Sequence, residues 1–371
     1  MHVPLLDLVG QYQSIKDEVL PALMRVVERQ QFILGEEVGQ LERALAELSE
    51  SSHAVACASG TDALLLPLRT LELKPGDEVI SPAFTFFATA GTIHNAGGTP
   101  VFVDIDPASF NLDPAAVEAA ITGRTRAIMA VHLFGQMAAM DPILVIAAKH
   151  GLPVIEDAAQ SIGARRLIEG RWRAAGSLGY VGAFSFFPTK NLGGWGDGGL
   201  MVTQDAALAE RLRRLRTHGG AKQYHHDEVG FNSRLDTLQA AVLLAKLPHL
   251  SAWSAARRRV ADRYTAAFAD HPAIAAPIAD PANEHIYHQY TLRVERRDEL
   301  VTHLRKRGIG SGVYYPLGLH LQPCFAHLGY RPGSLPATEV ATRSVVSLPV
   351  YPELTLAQQD VVIAGVKEFY K

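Results

Sequence analysis

The chain is 371 residues long, 48% hydrophobic and 20% charged, which supplies a sizeable core and exceeds the roughly 100–200 residues of one typical domain. Its net charge of −3, with 35 basic residues scattered along it, excludes the basic stripe that a nucleic acid or an anionic membrane would require. Cys57 and Cys324 are the two cysteines, too few for a disulfide framework or a four-cysteine metal site, so a reducing compartment is expected.

The N-terminal MHVPLLDLVGQYQSIKDEV lacks a basic segment followed by an apolar one, and no run approaches ~18 uninterrupted apolar residues. A soluble, cytoplasmic protein is therefore expected. Apolar residues recur at helical spacing across 35–50, and HAVACAS then reads as a strand ending in Ser59-Gly60-Thr61, with a helix from about Asp62. Strand-like DEVISPAF, TPVFVDID, RAIMAVHLF, LPVIEDA, AFSFFPT and GGLMVTQD follow, the first four interleaved with the helical patterns FFATAGTIHNAG, DPAAVEAAI and DPILVIAAKHG. Apolar strands separated by amphipathic helices predict an α/β fold with a mostly parallel sheet covered on both faces. Residues 235–270 read as a long helix bent at Pro248, bridging a large domain (1–247, with an N-terminal helical segment) to a smaller C-terminal α/β domain (248–371). The run Arg257-Arg258-Arg259 within that helix is expected to be a solvated face.

Ligands of such sheets sit beyond the carboxyl ends of the strands, and the residues with chemistry fall there. The strand AFSFFPT runs into Lys190 and then a glycine-rich loop. A lysine set among apolar and aromatic residues has its ammonium disfavoured by desolvation, which frees a neutral amine for carbonyl addition. The strand LPVIEDA ends in Glu156 and Asp157, and a carboxylate beside a pyridoxal ring nitrogen would keep that nitrogen protonated, as an electron sink requires. Alone, Asp157 equally suits a helix cap. Ala159 is small enough for a flat ring to lie against. Ser59-Gly60-Thr61 at a strand-to-helix junction offers a phosphate backbone N–H groups and a hydroxyl, Ser185 offers another hydroxyl, and Phe86 offers a stacking face that could otherwise be core.

These motifs, together with SGTDAL (59–64), FTFFATA (84–90), VHLFGQ (131–136), FSFFPTKN (184–191), GDGG (196–199) and GFNSRLDTLQAA (230–241), resemble the DegT/DnrJ/EryC1/StrS sugar aminotransferases, which are fold type I pyridoxal-phosphate enzymes. The resemblance spans nearly the whole chain. It implies pyridoxal 5'-phosphate held as a Schiff base on Lys190, with Asp157 on the pyridinium, Gln160 on the ring hydroxyl, and Gly60, Thr61 and Ser185 on the phosphate. Asn232 is implied to reach the phosphate from the other subunit of a homodimer. Tyr315 and His320 stand where the family contacts a nucleotide-linked keto-sugar, and L-glutamate is the expected donor.

Two positions depart from the family pattern: Gly318 replaces a common proline, which predicts a more mobile His320 loop, and Trp195 replaces a common tyrosine near the expected sugar pocket. Residues 224–232 look more like members that aminate C3 than C4. His225-His226 beside Asp227 and Glu228 do not read as a metal site, because adjacent side chains rarely converge on one ion. A related dehydratase would carry histidine in place of Lys190, and a regulatory or binding protein on this scaffold would have no need of Lys190 and Asp157 together.

Overall fold

The computed structural model describes residues 1–222 and 224–371. Its first nine strands are β1 (His53–Cys57), β2 (Glu78–Pro82), β3 (Thr99–Val103), β4 (Thr125–Val131), β5 (Val154–Asp157), β6 (Arg165–Ile168), β7 (Arg171–Ala174), β8 (Val181–Ser185) and β9 (Gly199–Thr203). The helices among them are α1 (Leu8–Arg29), α2 (Glu36–Leu48), α3 (Gly60–Thr70), α4 (Phe87–Asn95), α5 (Pro114–Ala120), α6 (Met140–His150), α7 (Ala206–Leu215) and α8 (Thr237–Lys246).

Seven strands form one sheet in the order β1-β9-β8-β5-β4-β2-β3. β9 runs against β1 and β8, while the pairs β8–β5, β5–β4, β4–β2 and β2–β3 are parallel. Alternation along β4 explains why both faces are covered. Ile128 and Ala130 pack with Leu41, Val117, Ile143 and Leu243 on one side, and Ala127 and Met129 pack with Leu64, Ile93 and Leu212 on the other. The parallel strands all present their carboxyl ends to the same edge, so Ser59, Asp157 and Ser185 are brought to one rim.

The hairpin β6–β7 was hidden by its charge: RRLIEGRWRA shows no alternation. It turns through Glu169 (φ 49°) and Gly170 (φ 76°), the two positive-φ positions that a tight two-residue hairpin needs.

The remaining elements are α9 (Leu250–Phe268), β10 (Ile274–Ala275), β11 (Asn283–Glu284), β12 (Tyr290–Val294), α10 (Arg297–Lys306), α11 (Pro336–Ser344), β13 (Val345–Leu348) and α12 (Leu356–Phe369). The expected bend at Pro248 is a short 3-10 turn, 247–249, between α8 and α9. Helix α9 enters the large core at Leu250 and leaves through a second core at Tyr264 and Phe268. We propose the boundary between the two units at 247/248 on that ground. Val3 joins the second core, its N–H donating to Gly308 O at 2.9 Å.

The expectation for Arg257-Arg258-Arg259 is corrected. Consecutive helical residues point about 100° apart, so a run of three cannot all face solvent on a helix packed between cores. Arg257 is buried and donates to the carbonyls of Tyr287, His288 and Val350 at 3.2, 3.4 and 2.7 Å. Burial lowers its pKa to about 10.

Candidate active site

Lys190 follows β8 on a tight turn, its N–H bonded to Phe187 O and the Gly194 N–H to Phe186 O, both at 2.8 Å. Side chains from the second unit and from α8 hold that turn. Asn191 donates to Ile286 O at 3.3 Å and meets His288 Nδ1 at 3.0 Å, and Lys246 Nζ donates to Gly193 O at 2.7 Å. Lys190 keeps partial exposure, yet burial of its amine lowers its pKa to about 8, against the opposing pull of Asp157. Only the neutral amine adds to an aldehyde. Capture of pyridoxal phosphate by the stripped protein, followed by Schiff-base absorbance, should therefore accelerate with pH through about 8 and level off above it. A midpoint near the ordinary lysine value would show that the amine is solvated.

The two carboxylates that end β5 are separated by strand alternation. Glu156 accepts from the N–H groups of Gly176, Leu178 and Gly179 at 2.9, 2.8 and 2.6 Å, and lies 2.9 Å from His132 Nε2. His132 Nδ1 accepts the Ala138 N–H at 3.1 Å, which places the ring proton on Nε2, facing Glu156. Glu156 is thus consumed by the scaffold. Asp157 takes the other face and is also buried. Burial raises its pKa, countered by the hydroxyl of Thr89 (2.8 Å), the N–H of Ala159 (3.3 Å) and the positive charge of Lys190.

Ser59 caps α3 by accepting the Asp62 N–H at 3.1 Å, so the helix starts at Gly60, two residues before the expected Asp62. The Gly60 and Thr61 N–H groups have no intrahelical acceptor there. A Cβ on Gly60 would stand 2.5 Å from Ser185 Cβ, and one on Gly199 would stand 2.2 Å from Ser59 O. Glycine at both positions lets the helix N-terminus, Ser185 and the start of β9 close into one small polar cradle suited to a phosphate.

Above the rim, Phe86 is 57% exposed and its ring lies 6.2 Å from Tyr315. Gln160 donates to Tyr315 OH at 3.2 Å and accepts the Phe134 N–H at 2.7 Å, leaving one amide hydrogen uncommitted.

Three expected site residues have other neighbours. Trp195 packs edge-on against Tyr12, at 5.7 Å between centroids, with its backbone N–H on Gln239 Oε1. His320 is 1% exposed and lies 3.3 Å from Glu339, so it offers substrate no open face. Gly318 serves space rather than mobility, since a Cβ there would stand 2.7 Å from the His320 ring and the next N–H is held by Ala83 O at 2.8 Å. Asn232 is exposed, while its neighbour Ser233 donates to Asp62 Oδ2 at 2.8 Å. His226 Nδ1 lies 3.0 Å from His218 O, and among the described residues no three metal-ligating side chains converge. Sequence reasoning missed Thr89, Tyr315 as the partner of Gln160, and the Asn191–His288 clamp. Of these only Thr89 left a signal, as the Thr85–Thr89 pair one helical turn apart.

The arrangement fits a flat aldehyde with a ring nitrogen and a phosphate: a desolvated amine, a buried carboxylate with spare acceptor capacity, and a helix N-terminus walled by glycines. A model of the DegT/DnrJ/EryC1/StrS aminotransferase family matches residues 13–367. A pleiotropic regulatory protein of Geobacillus stearothermophilus is 49% identical, the alignment covering 100% of this chain and 99% of the relative. A UDP-N-acetyl-3-dehydro-alpha-D-glucosamine 3-aminotransferase of Acidithiobacillus ferrooxidans is 47% identical, covering 95% and 94%. The crystal structure of S. venezuelae DesV in complex with a ketimine intermediate superposes with a TM-score of 0.96 at 44% identity, covering 100% of this chain and 99% of DesV. Among the described residues no helix is long and apolar enough to cross a membrane.

Proposed function

The chain belongs to the DegT/DnrJ/EryC1/StrS aminotransferase family, and from that premise we propose that it is a pyridoxal-phosphate enzyme that moves an amino group from L-glutamate onto C3 of a nucleotide-linked keto-sugar, acting as a homodimer in the cytoplasm. The observation that carries this reading is the pairing of a desolvated Lys190 with buried Asp157 at the rim where α3 begins. The regiochemistry rests on residues 224–232 and on the name of the Acidithiobacillus relative, which specifies a 3-amination. The Geobacillus relative is named as a regulator, but a regulator would gain nothing from tuning Lys190 and Asp157 against each other.

When bound, the cofactor supplies an electron sink for negative charge at the amino-bearing carbon. Lys190 Nζ would be the amine that attaches it and the base that carries a proton at that carbon. A pKa of about 8 leaves both its forms available near neutrality. Asp157 would hold the ring nitrogen's proton, and Gln160 the ring hydroxyl. Gly60, Thr61, Ser185 and, from a second copy, Asn232 would bind the phosphate, with Phe86 and Ala159 against the two ring faces. Tyr315 and Trp195 would meet the sugar, and His320 would brace that loop from beneath.

A second copy would also cover exposed apolar side chains. Phe86, Phe87 and Phe187 are 57%, 46% and 49% exposed, and Tyr224 and Val229, on the loop that leads to Asn232, are 85% and 83% exposed. Large exposed apolar side chains of this kind are what an interface covers. The test is the visible spectrum of the protein with pyridoxal phosphate. A Schiff-base band that L-glutamate bleaches is expected; a band unmoved by glutamate would overturn the donor, and no band would overturn the enzyme.

A further inference from the structure

Asp157 is held by a hydroxyl neighbour. Thr92, deeper in α4, bonds back to Ala88 O at 2.8 Å, whereas Thr89, in the first turn, has no helical carbonyl four residues before it. Thr89 instead spends its hydroxyl on Asp157 Oδ2 at 2.8 Å, and its oxygen lies 3.0 Å from Thr85 Oγ1. Both threonines are buried, at 0% and 2% exposure. A carboxylate only accepts, so the Thr89 proton points at Asp157, and the Thr89 oxygen is left to accept the proton of Thr85. The two hydroxyls form a directed chain that ends on one carboxylate oxygen. Among the described residues, the other oxygen has only the long bond from Ala159 N–H.

We propose that Thr89, backed by Thr85, is a positioning residue that keeps Asp157 ionised and turns its less occupied oxygen toward the cofactor's ring nitrogen. This rests on the reading that Asp157 pairs with that nitrogen. Burial favours the protonated form of the Asp157 carboxyl, and the Thr89 hydroxyl is the strongest influence opposing it. The other titratable groups facing Asp157 are Lys190, His132 and Tyr315, the last a buried neutral phenol whose oxygen accepts from Gln160. Lys190 is the amine that attaches the cofactor and is then no longer a free ammonium, and His132 is committed to Glu156. The threonine pair is therefore the strongest of the influences on Asp157 that does not depend on the state of Lys190. Phe86 lies between the two threonines, so the segment that stacks on the ring also sets the charge beneath it.

The experiment uses holoenzyme loaded with pyridoxal phosphate labelled with nitrogen-15 in the ring, whose chemical shift reports where the proton sits. In the wild type the plateau near neutral pH, where ring nitrogen and carboxyl share one proton, should lie toward the pyridinium value. In Thr89→Val, which keeps the shape and removes the donor, the carboxylate becomes more basic, and the ratio of proton on nitrogen to proton on oxygen should fall about tenfold, moving the plateau toward neutral pyridine. Thr89→Ser should restore the wild-type plateau. Thr85→Val, which leaves the Thr89–Asp157 bond in place, should move it the same way by less, and serves if Thr89→Val does not fold. Asp157→Asn separates the two levels of the argument. If it displaces the shift while neither threonine variant does, the proposal is overturned and the Asp157 reading stands. If Asp157→Asn also leaves the shift unmoved, both fall.

Discussion

Replacing Lys190 with alanine should lower turnover by about 10⁴-fold or more, because in the proposed mechanism one side chain both captures the cofactor and moves the proton, and general-base catalysis alone is worth roughly 10²–10⁴. The loss should be chemical and not structural. Lys190 sits on a turn beyond β8, and that turn is fixed by backbone bonds and by Asn191, Gly193 and Lys246 rather than by the lysine side chain. Burying its ammonium is unfavourable, as the lowered pKa records, so truncation should change fold stability by no more than ~0.5 kcal/mol. The phosphate cradle remains, and pyridoxal phosphate should still bind, reversibly and without the Schiff-base band. Lys190→Arg is the sharper control: it keeps the charge and much of the length, but a guanidinium never supplies a neutral amine. Full turnover in either variant would overturn the assignment; a collapsed melting transition in Lys190→Ala would contradict the claim that the loss is chemical.

How much of this could be read from the chain follows from the range of the interactions involved. The sheet strands were legible because burial on both faces requires continuous apolar runs, and the rim residues were legible because parallel strands put consecutive strand ends side by side. The choice between Glu156 and Asp157 follows from alternation, but naming the scaffold carboxylate needs the N–H groups of residues 176–179, some 20 positions away in sequence. Arg257 was misread for the same reason: the carbonyls that receive it come from Tyr287, His288 and Val350, on connections that no local pattern links to α9. His320 had a family role to suggest exposure, whereas its burial depends on Gly318 leaving room for the ring. The Thr89 hydroxyl had a visible spacing to Thr85 and no visible destination, since Asp157 lies 68 residues further on.

Mixing Lys190→Ala protein with Asn232→Ala protein should recover activity that neither homodimer has, and the amount distinguishes two arrangements. Asn232 is exposed, while its neighbour Ser233 is tied to Asp62 on α3 of the same chain, so contact alone is compatible with service to its own site or to a partner's. If Asn232 reaches across, each heterodimer has one site with both lesions and one with neither. Random reassortment makes about half of all dimers heterodimers, so about a quarter of the sites become wild type. If Asn232 serves its own chain, every site keeps one lesion and nothing is regained. The contrast is largest at limiting cofactor, because loss of a hydrogen bond to a charged phosphate costs about 1.5–3 kcal/mol, or roughly 10- to 150-fold in affinity. Asn232→Ala homodimers should then be nearly empty, and any Schiff-base band in the mixture belongs to restored sites. Recovery near a quarter would place Asn232 in the partner's active site. No recovery in verified heterodimers would return the phosphate to one chain.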